Sequence, residues 1–504
     1  VNGIFHVKDF GAYGVAVPID RLKLAVFQHV DCLYPPTERI IYGRDPKAAE
    51  DDSAGIQRAI DEAHRSGGGR VLVPAGDYLI APLRLRSRVE LHLLPGSRLW
   101  GSTRLQDYLA PAAGTVTSIT DAGYGCSEHR VAADLGFRRL ICAADEHDVA
   151  VTGSGQISGQ SGYWFIPWLN RERQPVPFDR PKETVLFKRC ASVRVEGIRI
   201  VDPPYWTLVF DECDGVGVRG VTVKVLDGPN ADGIDVCSCC DVTISDCRLH
   251  VFDDAICLKN ATLDRTTSRV TITNCIIRTV CNGFKIGTDS LGGFEDIVVS
   301  NLVIRNQDND MNHACGGINV NCVDGGWVRN VSIQNIIMGN VRCPIYMVLG
   351  CRSRQQSRHR KPRAGKMENI SIANLTAEGS KHPCFVVGQW GSPVLQVRLD
   401  NIRIHKTGGT CKSPTTDPVP ERPESYPDPW MFGSFEQGDE LPAYGLYLRH
   451  VEGLMLRDFH TVSAAAEVRP QFVAEHVTLC SPYDAAGPIK QPAGRVHVAE
   501  SLSQ

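Results

Sequence analysis

Between Val193 and Asn401, eight pairs of an apolar residue followed four positions later by Gly, Asp or Asn recur in units of one common form. The pairs are Val193/Gly197, Val216/Gly220, Val242/Asp246, Val270/Asn274, Ile297/Asn301, Val331/Asn335, Ile370/Asn374 and Val397/Asn401, and their starts lie 23, 26, 28, 27, 34, 39 and 27 residues apart. Each unit reads as two short strands around a bend. Gly, Asn and Asp tolerate the left-handed backbone that a sharp bend needs, and asparagines stacked from unit to unit can hydrogen-bond to one another. A roughly constant pitch, β-branched strands and loops of variable length predict an all-β fold, a single-stranded right-handed parallel β-helix (a solenoid). Leucine-rich repeats would need shorter units with a leucine signature, and a propeller about four strands per unit.

The expected organisation is one β-helix domain over residues 1–504. Residues 1–69 hold an N-terminal strand at Ile4–Gly11, an irregular insertion from about Gly14 to Ala49 marked by Pro18, Pro35, Pro36 and Pro46, and a capping helix. In that helix Asp52 or Ser53 is the N-cap, Ile56, Ala59, Ile60 and Ala63 share one face, and Gly67–Gly69 end it. It can cover the open end of a solenoid core. Residues 70–410 form the coils, with loop insertions at Asn306–Gly317 and Cys351–Lys366. Residues 411–504 form a long Pro-, Ser- and Thr-rich loop followed by C-terminal coils.

A formal net charge of −3 gives no reason to expect nucleic acid or an acidic membrane as partner, and no stretch approaches the ~20 apolar residues of a membrane span. The start, Val1-Asn2-Gly3, carries no apolar leader, which suits a cytoplasmic protein or an exported one already processed. The 19 cysteines include no pair of C-x-x-C modules at zinc spacing, so most read as small buried residues, the rest as disulfides or incidental thiols. No metal and no cofactor are expected.

Chemistry concentrates between Asn230 and Asp254. Asp232 lies in N-A-D-G, and Asp253 and Asp254 follow 21 residues later, about one coil on. Both sites immediately precede a strand, and equal phases on adjacent coils of a β-helix lie ~4.8 Å apart. Like charges that close cannot all ionise freely, and a proton donor beside ionised bases suits glycosidic bond cleavage. Spacing alone leaves open turn residues or a calcium site.

The chain resembles the family 28 glycoside hydrolases, the polygalacturonase family. The resemblance rests on V-K-D-F-G-A, D-D-S-A-G-I-Q-R-A-I, G-G-G-R-V-L-V-P-A-G-D-Y, L-H-L-L-P-G-S-R-L-W-G-S, G-S-G-Q-I-S-G-Q, Arg180-Pro181, P-P-Y-W-T-L, N-A-D-G-I-D and D-D-A-I-C-L-K, taken in order. It implies a right-handed parallel β-helix that hydrolyses pectin-type chains with inversion. By that match Asn230, Asp232, Asp253 and Asp254 belong to the site. Asp253 would be the general acid, while Asp232 and Asp254 would hold and deprotonate water, with acid and base ~6.5–9.5 Å apart.

Two departures bear on the substrate. The family's G-H-G element corresponds to C-N-G-F-K-I-G-T, with Asn282 at the histidine and Lys285 added. Its R-I-K element corresponds to G-I-N-V-N, with Asn319 and Asn321. Asparagine offers hydrogen bonds without charge, so the match favours a neutral or deoxy sugar, or a carboxylate held by Lys285 or a loop. Arg352 opens a basic loop with Arg354, Arg358, Arg360, Lys361, Arg363 and Lys366, which is either a solvated face or an acidic-saccharide contact. Trp206, together with Trp164, Trp390 and Trp430, could stack on sugar rings or pack internally. His250, Arg449 and His450 are further groove candidates. The function expected is that of an inverting hydrolase, exo-acting on pectin-related or similar oligosaccharides. The alternatives are a polysaccharide lyase, a glycosyl-transferring or cyclising enzyme on the same fold, and a non-catalytic saccharide-binding solenoid.

Overall fold

A computed structural model gives the structure of residues 3–24, 37–43, 51–108, 139–164, 180–225, 230–306, 314–352, 363–409, 421, 429 and 442–480. These fall into two compact units, residues 1–254 and 255–504. Each is built from coils of parallel strands, and the chain is a parallel β-helix.

In residues 1–254, inward side chains stack in columns with no change of phase. One column runs Val71, Leu91, Val151, Val195, Val218, Ile244. A second runs Tyr78, Leu99, Ile157, Ile200, Val223, Leu249. A third runs Ala143, Phe187, Phe210, Val236. A coil therefore has three strands, where the repeat had indicated two. The third includes Ile141–Ala144, Val185–Lys188, Leu208–Asp211 and Ile234–Cys237, and in the last three of these strands every residue is buried. A strand buried on both faces loses the alternation by which a strand is recognised.

The bends fall where the repeat puts them. Gly197, Gly220, Asp246, Asn274, Asn301, Asn335, Asn374 and Asn401 all have positive φ. In residues 255–504 the strands flanking the bend run together, as in Thr266–Arg278, Gly293–Arg305, Trp327–Gly339 and Val394–Lys406. Their bends form a ladder. Asn301 Nδ2 donates to Asn274 Oδ1 at 3.2 Å, Asn335 to Asn301 at 3.1 Å, Asn374 to Asn335 at 3.2 Å and Asn401 to Asn374 at 3.0 Å.

The helix spans Ser53–Arg65 and buries Ile56, Ala59, Ile60 and Ala63 against the strands Gly3–His6 and Gly69–Val73. Asp52 precedes it without capping it by side chain. Its carboxylate instead accepts N–H bonds from Tyr13, Gly14 and Leu79, at 2.8, 3.1 and 3.2 Å. Burial raises its pKa against the opposing pull of those donors. The insertion at Gly14–Ala49 is not irregular throughout. Val17–Leu24 and Thr37–Gly43 pair antiparallel, with a register shift beside Pro18, a position at which a strand tolerates proline. The remainder of that insertion, residues 307–313 and 353–362 of the two loops, and most of 410–441 lie outside the described residues.

All 16 described cysteines are free, and most are buried. Cys190, Cys213 and Cys239 stack at one turn, with Cys190 N donating to Cys213 Sγ at 3.4 Å and Cys213 N to Cys239 Sγ at 3.2 Å. Burial holds the Cys213 thiol well above its ordinary value, which keeps it neutral and unreactive.

The ladder yields a test. Asn335→Ala forfeits two amide bonds at about 1 kcal/mol each and places a β-carbon in left-handed backbone at a further 1–2 kcal/mol or so. Asn335→Gly forfeits the bonds alone. Urea unfolding should rank wild type above Gly above Ala; Ala equal to Gly would mean that the backbone conformation carries no cost.

Candidate active site

Asp232 and the pair Asp253-Asp254 stand on successive turns of the first unit, tied by backbone. Thr207 N donates to Asp232 O at 3.2 Å, and Gly233 N to Asp254 O at 2.9 Å. The Thr207 hydroxyl also donates to Asp232 O, at 2.6 Å. Asn230 (φ 60°) turns the chain into the site. Its N–H donates to Asp253 Oδ2 at 3.1 Å, while Asp254 N donates to Asp253 Oδ1 at 3.0 Å. Both oxygens of Asp253 are thus held from behind by backbone. Asp253 is half-buried, whereas Asp232 and Asp254 are only 4% and 5% exposed.

A cationic wall stands beside this cluster that the spacing argument did not single out. Arg180 Nη2 donates to Asn230 Oδ1 at 3.2 Å. The Arg180 guanidinium lies 4.7 Å from the centroid of the Tyr205 ring and Lys182 Nζ 4.8 Å from it, both within cation–π range. Burial lowers Arg180 to about 10, with Tyr205 and Asp253 acting in the opposite sense. The only hint in the sequence was that Arg180-Pro181 and P-P-Y-W are among the matching stretches. Trp206 is buried, with its ring 6.0 Å from that of Tyr205. His250 ends the strand Arg248–His250 and is half-buried. Its carbonyl accepts Val225 N at 2.7 Å.

In the second unit one column of residues in register runs Cys257, Lys285, Asn319, Tyr346, Phe385, Tyr447, all of them buried. Phe284 and Ile286 alternate with Lys285 along the strand Asn282–Ser290 and are fully buried. Lys285 is buried, not solvated. Asn282, Asn319 and Asn321 are fully buried and linked, with Asn319 Nδ2 donating to Asn282 Oδ1 at 3.0 Å and Asn321 Nδ2 to Asn319 Oδ1. Further along, the column becomes apolar and covered: Tyr346, Val348, Phe385, Val387 and Tyr447 cluster with Ala443 and Val473. Arg352 turns back into the fold. Its Nε and Nη2 donate to Asp324 at 2.9 and 2.7 Å, and Nη2 also donates to Asp289 at 3.2 Å. Burial alone would lower its pKa, but those two carboxylates hold it above its usual value. Trp164 is buried edge-on to Tyr108. Trp390 is 76% exposed, edge-on to His450 and His476. His450 Nε2 lies 2.6 Å from Glu421. Trp430 lies outside the described residues.

Arg352 can be separated from the rest of its loop by stability. Arg352→Met removes the partner of the buried Asp289 and the half-buried Asp324 and should cost about 3 kcal/mol. Arg363→Met, at an exposed position, should stay within about 0.5 kcal/mol. Equal denaturation midpoints for the two variants would contradict the pairing.

Comparison with known proteins agrees with this architecture. A polygalacturonase of Malus domestica is 25% identical over 370 residues, covering 72% of this chain and 73% of its own. The hyperthermoactive exopolygalacturonase of Thermotoga maritima superposes with a TM-score of 0.61 at 20% identity, covering 91% of this chain and 92% of its own. The family 28 exopolygalacturonase of Yersinia enterocolitica gives 0.62 at 16%, covering 97% and 80%. At those identities the structural likeness speaks for the fold. The sequence model of glycosyl hydrolases family 28 matches residues 97–420, well over half of the chain, and the protein belongs to that family of glycoside hydrolases.

Proposed function

We propose that the protein is an inverting glycoside hydrolase that cleaves pectin-related oligosaccharides from a chain end. Asp253 acts as the general acid, and Asp232 and Asp254 hold and deprotonate the attacking water. The observation that carries this reading is the backbone-tied cluster itself, three carboxylates on successive turns with unequal exposure. Asp253, the most accessible, can reach a leaving oxygen, and the two N–H groups behind it fix its orientation. Asp232 and Asp254 are buried and suited to grip a single water. In the reaction, Asp253 gives its proton to the glycosidic oxygen as the bond to the anomeric carbon breaks. Water attacks from the opposite side and loses its proton to one of the other two, so the configuration inverts. Asn230 positions Asp253 through its N–H, and Arg180 positions Asn230.

A pectic substrate class is supported by family membership and by the polygalacturonase relative. Action at chain ends is part of the proposal, which product analysis tests. Lys285 stands in register with Asn319, which makes it the cation we assign to a sugar carboxylate, while the linked amides of Asn282, Asn319 and Asn321 order the floor beside it. Trp206 packs beside Tyr205 in the first unit, and Arg352 is held by Asp324 and Asp289 in the second.

Asp253→Asn should reduce kcat by at least about 10³-fold, in the range for loss of a positioned acid, with oligosaccharide binding retained by calorimetry. NMR of early products from a panel of pectic and neutral oligosaccharides should show the inverted anomer released one terminal unit at a time, without an unsaturated ultraviolet-absorbing product. Undiminished turnover in Asp253→Asn, or no cleavage anywhere on the panel, would end the proposal. Lys285→Met should raise KM for uronate-ended substrates and leave neutral ones unchanged; an equal rise for both would remove Lys285 from carboxylate recognition.

A further inference from the structure

The strand Val394–Lys406 ends with a lysine in a core position. Its inward residues are Ile402, Ile404 and Lys406, and Lys406 is 2% exposed. Ser380 is its register partner on one side and Ser463 on the other, while Thr461 pairs with Ile404. On earlier coils of this unit the same turn is filled by asparagines that satisfy one another. Asn306 Nδ2 donates to Asn340 O at 3.4 Å, and Asn340 Nδ2 returns to Asn306 O at 3.3 Å. At Lys406 that arrangement stops. Among the described residues, Lys406 Nζ, Ser380 Oγ and Thr461 Oγ1 are all buried without a hydrogen-bond partner. The ammonium's nearest aromatic support is the Tyr444 ring, with its centroid 5.7 Å away. Three unmet polar groups at one spot are costly to a fold, and together they define what would satisfy them.

The charges nearby point to the sign of the ligand. Among the described residues, the charged groups acting on His382 are Arg342, Lys406, Lys381 and Arg469, all positive. Burial first, and those cations second, push its imidazole down to about 3, so it is neutral near pH 7. Glu467 is the carboxylate acting on Lys406, and it is already gripped by Arg469 Nε and Nη2 at 2.8 and 2.7 Å. The Cys384 thiol, pushed up to about 12 by burial, and the Tyr444 phenol, raised for the same reason, add no negative charge.

We propose that Lys406, Ser380 and Thr461, at the turn lined by His382 and Tyr444, form an internal binding site for a compact oxyanion of the carboxylate class. The ammonium supplies charge and three donors and the two hydroxyls supply directed hydrogen bonds. The ligand is either a free small carboxylate or the carboxylate of a uronic acid. The site lies wholly within residues 255–504 and does not depend on the assignment of the catalytic aspartates.

The sign of the pH dependence follows. Burial, and after it Arg469, lowers Lys406 to about 8 in the folded protein, against ~10.4 for an unperturbed lysine. Without ligand, the unfolded chain therefore holds more protons between those values, and the folded state gains stability as pH rises through that window. Bound carboxylate favours the protonated ammonium, so binding is strongest below the folded value and weakens about tenfold from pH 7 to pH 9 as Lys406 loses its proton.

The test is thermal unfolding of the full chain in buffer of low anion content, titrated with acetate, galacturonate and galactose, for wild type, Lys406→Met and Lys406→Arg. The site is supported by a saturable rise in Tm with acetate and galacturonate, absent with galactose, abolished in Lys406→Met and kept in Lys406→Arg. A response to galacturonate without acetate assigns the ligand to a saccharide; a response to both assigns it to carboxylates generally. In the absence of ligand at pH 7, Lys406→Met should melt above wild type, because it removes an uncompensated buried charge; this also shows that the variant folds. The same carboxylate response in Lys406→Met as in wild type, or no saturable response to either acid, overturns the proposal.

Discussion

The parallel register between successive coils is the constraint on which everything else depends. Val193, Val216 and Val242 lie directly over one another, as do Val270, Ile297, Val331, Ile370 and Val397. That phase is held although the spacing between coils ranges from 23 to 39 residues. It survives because each bend places a residue that accepts left-handed backbone, so extra length is expelled into loops and does not accumulate in the strands. A slip of one residue would exchange every inward side chain for an outward one. The catalytic proposal inherits this rule. Asp232 and Asp254 are neighbours because Gly233 N reaches Asp254 O, a contact that the 21 intervening residues cannot loosen while the register holds.

What the sequence revealed divides along the same line. Bends were legible because left-handed backbone restricts residue choice wherever it occurs, whatever packs around it. The helix at Ser53–Arg65 was legible because one face is buried and the other is not. The strand Leu208–Asp211 was not, since burial on both faces removes the alternation. The pairing of Val17–Leu24 with Thr37–Gly43 was obscured by its prolines. Asp52 shows how a correct local pattern can mislead about a side chain. It stands at the head of the helix as expected, yet its carboxylate binds Tyr13 and Leu79, partners that no local motif contains.

The site divides in the same way. Asp232, Asp253 and Asp254 were legible through their motif and phase. Arg180 and Tyr205 were less so, because Arg180 meets Asn230 across 50 residues and arginine offers no periodic signal. Arg352 looked like one member of a basic run, and only the fold shows that it faces Asp324 and Asp289. Composition identifies a cation; whether it is available to a ligand depends on carboxylates that arrive from other coils.

Asn282, Asn319 and Asn321 show how polar side chains at three buried positions can be accommodated without charge. An amide is donor and acceptor at once, so a column of asparagines can be buried and neutral with its groups bonded to one another, whether or not a ligand is present. A pair of cations in the same place would stay uncompensated until an anion arrived. An amide column therefore needs no anion to balance it, and Lys285, in register beside Asn319, is the positive charge in that row. At Lys406 the balance is reversed, because among the described residues an ammonium and two hydroxyls are buried without a hydrogen-bond partner, and the proposed anion would complete them. Within one unit, then, affinity for acidic groups is governed less by how many basic residues are present than by which buried donors the coils leave unmatched.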